Sequence, residues 1–111
     1  VAGRALDLGA MIVNDISAFA YDPGLASVAA RRKAPVILMH NRGRSAKMYE
    51  FAEYGDVVAD ISRELAARAD EAIAAGVARH AIVLDPGFGF AKRAEHSLAA
   101  LARLAEFHAQ G

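Results

Sequence analysis

Asp85-Pro86-Gly87-Phe88-Gly89-Phe90-Ala91-Lys92 gathers a carboxylate, two glycines, two phenylalanines and a lysine into one short stretch. Asp and Pro open turns, and glycine takes backbone conformations that other residues avoid, so one reading is a turn and nothing more. A turn has little use for two phenylalanines, however. The second reading sets the Asp85 carboxylate at the floor of a pocket, lets the glycines bring backbone close to a ligand and raises an aromatic ring as a wall. A carboxylate offers acceptors only and can receive two parallel N–H donors, which suits an amino-pyrimidinone edge. The stretch lacks the third glycine of a dinucleotide fingerprint and the Gly-Lys-Ser/Thr of a P-loop.

Two further places carry polar chemistry. Met39-His40-Asn41-Arg42-Gly43 follows an apolar run: Met39 reads as core or as a soft face for a flat ring, and His40 as a base or a metal ligand. No metal spacing links His40 to His80, His96 or His108. Arg42, Arg44 and Lys47 read first as a solvated connection and second as a contact for a diphosphate. Asn14-Asp15 ends another apolar run, where Asn and Asp serve either a turn or a ligand. No nucleophile paired with a base is evident.

The elements that must position these residues are β-α units. Ala10 to Val13, Pro35 to Met39 and Ala81 to Leu84 are apolar runs without alternation, which predicts strands buried on both faces. Helical segments follow: Pro23 to Lys33, with Leu25, Val28 and Ala29 on one face; Asp56 to Ala75; and Ser97 to Ala109, with Leu98, Leu101, Leu104 and Ala105 inward. In the second, Val57, Val58, Ile61, Leu65, Ala69, Ala72 and Ile73 make one stripe, Asp56 caps the start and Gly76 the end. Glu64 and Arg68, four apart, predict an outer-face pair. Val1 to Leu8 reads as the tail of another helix. Three β-α units predict a parallel sheet, in either a barrel or an open doubly wound fold; in both, ligands meet the carboxyl ends of the strands.

The 111 residues are 55% hydrophobic, with 13 basic residues against 13 acidic ones. That is enough for one modest core, and the balanced charge gives no sign of a nucleic-acid or membrane-surface partner. Cysteine is absent, which excludes disulfides and thiolate metal sites and agrees with a cytoplasmic setting. No run reaches the roughly 18 to 20 apolar residues of a membrane span, and no signal-peptide layout opens the chain. Both ends look cut, so the sequence reads as an excerpt.

Ile12-Val13-Asn14-Asp15-Ile16-Ser17, Leu38-Met39-His40 with Arg42-Gly43, and Asp85 to Lys92 resemble three successive motifs of the dihydropteroate synthase family, in order and at suitable spacing. The likeness covers nearly the whole chain and extends to Met48-Tyr49, Tyr54 to Val58, Ala75-Gly76-Val77 and Glu95-His96-Ser97-Leu98. Asn41 stands where many members have a second Met, and Ala91 replaces a frequent Gly. The resemblance implies a parallel (β/α)8 TIM barrel, of which residues 1–111 are a single partial pterin-binding domain, truncated at both ends and supplying about strands three to five. It implies a transferase of folate biosynthesis, in which the arylamine of 4-aminobenzoate displaces diphosphate from (7,8-dihydropterin-6-yl)methyl diphosphate. Asn14 and Asp85 would hydrogen-bond the pterin, Met39 would line its slot, and Phe90 would lie on the aminobenzoate side. Mg²⁺ would be the cofactor, with its family ligand outside these residues. The complete protein would be a homodimer and this segment alone inactive. Two competing readings are the pterin-binding domain of a corrinoid-type methyltetrahydrofolate methyltransferase and a non-enzymatic open α/β binding module.

Overall fold

Alternation along each strand decides which side chains meet the helices and which are left for a site. The computed structural model describes residues 1–44 and 46–110. Helix α1 (Ala2–Asp7) leads into three β-α units: β1 (Val13–Asp15) with α2 (Gly24–Arg32), β2 (Val36–Met39) with α3 (Val57–Ala74), and β3 (Ile82–Asp85) with α4 (Ala94–Ala102) and α5 (Leu104–Phe107). The strands pair parallel in the order β1-β2-β3. Val13 lies opposite Val36, and Val36 opposite Ile82.

The helix side of this sheet holds the core. Val13, Val36 and Leu38 join Ala26 and Ala29 of α2 and Ala72 of α3, while Ile61 and Leu65 of α3 pack with Val57, Val58 and Ala100. Leu38, Ile61 and Leu65 are essentially sealed from solvent, and burial of each such side chain is worth roughly 1.5 to 3 kcal/mol. Alanines on α2 let the helix sit close to the strands. The start of α3 follows from Asp56, whose carboxylate accepts the N–H groups of Val58 at 3.0 Å and Ala59 at 3.2 Å. Its end follows from Gly76, whose φ of +102° favours a residue without a Cβ.

Several expectations are corrected. The first strand begins at Val13 rather than Ala10, leaving Met11 and Ile12 exposed. Among the described residues only β2 has a strand on each side; β1 and β3, which border the rest of the chain's fold, each pair on one side, and Val83 is 56% exposed. Glu64 and Arg68 do not pair: Arg68 donates to Glu71 at 2.8 Å, while Glu64 turns toward Arg42 and His40. The third helical segment starts earlier, at Ala94, and breaks at Arg103, whose guanidinium reaches Asp56 at 2.9 Å and Glu106 at 2.7 Å. Leu98 and Leu101 point outward and Ala105 is exposed, because Ala100, on another side of α4, makes the close approach to α3; Leu104, on α5, borders a groove that it shares with Leu65 and Phe107.

Candidate functional site

Asn14 pairs with Ile37, which pairs with Val83; Met39 and Asp85, opposite one another, lie two residues further on. Since strand side chains alternate, Asn14, Met39 and Asp85 share the face away from the helices, toward the carboxyl ends of the strands. Asn14 is exposed and Asp85 half-buried, whereas Met39 is buried. Asp15 belongs to the other face. Its carboxylate accepts the N–H groups of Ser17 at 3.0 Å and Phe19 at 2.7 Å, holding a turn in which Ala18 and Phe19 both have positive φ. The two neighbours in Asn14-Asp15 thus divide into an open carboxamide and a structural cap.

Asp85 does form a turn: its Oδ1 accepts the Gly87 N–H at 2.8 Å. Among the described residues its Oδ2 takes no hydrogen bond, so the pocket-floor role stays open to it. Gly87 sits against the end of β2, where a Cβ would lie 2.2 Å from the His40 carbonyl oxygen and 3.1 Å from Met39 Cγ. The rest of the loop is held from several directions. Tyr49 and Tyr54 donate their hydroxyls to the carbonyls of Gly89 at 3.1 Å and Ala91 at 2.8 Å, and Ser97 Oγ accepts the Gly89 N–H at 3.0 Å. Phe90 N–H donates to the Gly87 carbonyl at 3.2 Å and closes the turn, leaving Phe90 half-buried and Phe88 exposed.

Lys92 is almost fully buried, at 2% exposure. Its Nζ lies 2.8 Å from His40 Nδ1 and donates to the carbonyls of Gly87 and Phe90, both at 2.9 Å. With Nδ1 occupied as an acceptor, the partners assign the imidazole proton to Nε2, which donates to Glu64 Oε2 at 2.8 Å. Glu64 also accepts from Arg42 Nε at 3.0 Å, and the Arg42 guanidinium lies 4.0 Å over the Tyr54 ring. A lysine, a histidine, a carboxylate and an arginine thus run in series behind the loop.

The electrostatics follow from that order. Burial, reinforced by Lys92, pushes His40 down to about 4 despite Glu64. Burial, with the Arg42 charge, brings Lys92 down to about 8, opposed by Asp85 and Glu64. Burial also works to raise Glu64, but hydrogen bonds from Arg42 and His40 outweigh it and hold the carboxyl below its ordinary range. Burial pushes the Tyr54 phenol up to about 12, with Arg42 acting the other way.

The sequence reading of Arg42 as a solvated connection is corrected, since its guanidinium is tied to Glu64, Tyr54 and the Glu53 carbonyl. Arg44 and Lys47 are exposed. Lys92 and Glu64 are the residues that sequence reasoning missed. The available signal was a lysine closing a motif of small and aromatic residues, a setting with no obvious solvent-facing use for it.

The profile of the pterin binding enzyme family matches residues 1–111. The chain is 43% identical over its full length to dihydropteroate synthase of Synechocystis and 46% identical to that of Mycobacterium leprae, spanning 38% and 39% of those proteins. It superposes on a crystal structure of Thermus thermophilus dihydropteroate synthase with a TM-score of 0.92 at 44% identity, covering 100% of this chain and 44% of that one. Structures of the same enzyme in complex with 6HMPPP and with 4-aminobenzoate give TM-scores of 0.92 and 0.91. The three units are therefore part of the parallel TIM barrel of those proteins, which excludes the open doubly wound alternative. With a profile match from end to end and this degree of identity, the chain belongs to the pterin binding enzyme family.

Proposed function

We propose that the complete protein carrying residues 1–111 is a dihydropteroate synthase, joining (7,8-dihydropterin-6-yl)methyl diphosphate to 4-aminobenzoate with release of diphosphate. The observation that carries this reading is the shared face of Asn14, Met39 and Asp85, in a chain 43% identical to a synthase crystallised with 6HMPPP. Asn14 and Asp85 hydrogen-bond the pterin, Asp85 through the oxygen that the Gly87 turn leaves open. Met39 borders the pterin slot, and Phe90 stands on the aminobenzoate side. The arylamine nitrogen attacks the pterin methylene carbon as the C–O bond to diphosphate breaks, and the amine then loses a proton. Such a displacement needs alignment and charge stabilisation more than covalent help, so residues that position the two rings contribute the larger part.

Mg²⁺ belongs to this proposal for the complete enzyme, where it would stabilise the leaving diphosphate. The described residues hold no group of three or more His, Cys, Asp or Glu side chains arranged for a metal ion. A cytoplasmic homodimer is the proposed setting; no helix among the described residues is long and apolar enough to cross a membrane. Residues 1–111 alone are proposed to be inactive, because the chain spans 38% of its Synechocystis relative. Incubating the complete protein with both substrates and Mg²⁺, and following dihydropteroate and diphosphate together, tests the reading. Equimolar formation of the two supports it; a folded protein that binds the pterin compound yet forms neither product refutes it.

A further inference from the structure

We propose that Lys92 is a positioning residue for the arylamine side of the site: its buried ammonium, seated on His40, fixes the Gly87–Phe90 turn and with it the Phe90 ring. The inference rests on the function proposed above and adds to it a residue that contacts neither substrate.

The geometry is that of a charged group with every donor used. Three N–H bonds meet three acceptors, His40 Nδ1 at 2.8 Å and the Gly87 and Phe90 carbonyls at 2.9 Å. The two carbonyls are the ends of one tight turn, whose own closing bond runs from Phe90 N–H to the Gly87 oxygen at 3.2 Å. One ammonium therefore grips both ends of the segment that presents Phe90. A lysine is almost never sealed from water unless its charge is satisfied, and a purely packing role would be filled as well by Met or Leu. Asp85 depends less on this grip, because β3 holds it opposite Met39 and its carbonyl accepts the His40 N–H at 2.8 Å. Loss of the ammonium should thus loosen the arylamine wall and spare the pterin floor.

Charge decides whether the grip holds. A neutral amine has two N–H donors and a lone pair, so one of the three acceptors would then face a lone pair. The groups around Lys92 are His40 at the end of β2, Arg42 beyond it, Glu64 on α3 and Asp85 on β3; burial and Arg42 lower its pKa to about 8, while Asp85 and Glu64 support the charge. The turn is therefore set to relax under mildly alkaline conditions.

Two measurements on the complete protein test this. In the substrate-free wild type, the backbone amide resonances of Gly87, Gly89 and Phe90 are followed by NMR from about pH 6.5 to about 9.5; they should titrate together with a midpoint near 8, and flat shifts overturn the proposal. In steady-state kinetics, Lys92→Met should raise KM for 4-aminobenzoate by about tenfold, change KM for the pterin diphosphate by less than about threefold, and abolish an alkaline limb near pH 8 in the wild-type kcat/KM for the arylamine. Equal losses for both substrates, or an unchanged pH profile, also overturn it. If Lys92→Met does not fold, the wild-type amide titration and pH profile still decide. Absence of any turnover by the wild type would instead defeat the proposed function, a result separable from the amide titration.

Discussion

His40 Nε2 donates to Glu64 across 2.8 Å, joining the end of β2 to the helix packed behind it. The imidazole is neutral, because its opposite nitrogen accepts from Lys92 and can do so only without a proton. Protonating His40 would turn a second donor toward an ammonium, which agrees with its depression to about 4 from an ordinary 6.5. Between those values the unfolded chain binds a proton that the native state does not, so stability rises with pH across the window and is lost as pH falls through it. The gap corresponds to roughly 3 kcal/mol. Urea unfolding of the complete protein should show wild type exceeding His40→Gln at pH 7, with the difference shrinking toward pH 4. A difference independent of pH would mean that folding does not depress the His40 pKa.

Gly87 and Gly89 share positive φ, +69° and +80°, but not their surroundings. A Cβ at Gly87 would meet the His40 carbonyl at 2.2 Å, whereas at Gly89 nothing lies within 4 Å. Gly89→Ala should cost only the backbone penalty, about 1 to 2 kcal/mol. Gly87→Ala adds a backbone collision and should cost about 3 kcal/mol or more. Parallel thermal melts decide, and equal costs would contradict the contact.

Phe90→Ala in the complete enzyme should impair use of 4-aminobenzoate more than use of the pterin diphosphate. Removing one aromatic wall forfeits apolar contact on the order of 1 to 3 kcal/mol. Kinetics with each substrate varied in turn provide the test; an effect confined to the pterin compound would place the ring in the other subsite.

Asp85→Asn keeps an oxygen for the Gly87 N–H, so the fold should tolerate it. Pterin binding should not, because an amide donor would then face the donors of the ligand. The loss should be roughly 2 to 4 kcal/mol, or about 30-fold to 1000-fold in affinity. Calorimetric titration of a pterin analogue, with melts alongside, separates the two effects. Binding within about threefold of wild type by a folded variant would reduce Asp85 to its turn.

What the sequence revealed and what it hid divide along physical lines. Asp56 and Gly76 marked both ends of α3 because a capping carboxylate and a left-handed glycine act within a few residues of themselves. The shared face of Asn14 and Asp85 was approachable because polar residues ended apolar runs. Ala10 to Val13 misled, since an apolar run without alternation does not say where pairing starts. Leu98 and Leu101 misled as well, because their periodicity identifies a helix side but not its partner. Glu64 has its nearest candidate partner four residues away and its actual one 22 residues away on another element, a choice made by tertiary packing. Lys92 was hidden by the sound rule that lysines face water.

The placement of β2 between two partners has a kinetic consequence. Its backbone groups are paired on both sides and its side chains are covered on the helix face, whereas β1 and β3 each have one edge unpaired among the described residues. Releasing β2 to water therefore means parting both neighbours at once, which makes it the last part of this segment to exchange its amide protons for deuterium. In residues 1–111 by themselves the His40 N–H bond to the Asp85 carbonyl ties the end of β3 to this slowest strand, whereas in the closed barrel of the complete protein β1 and β3 would each gain a second neighbour and the difference would be levelled.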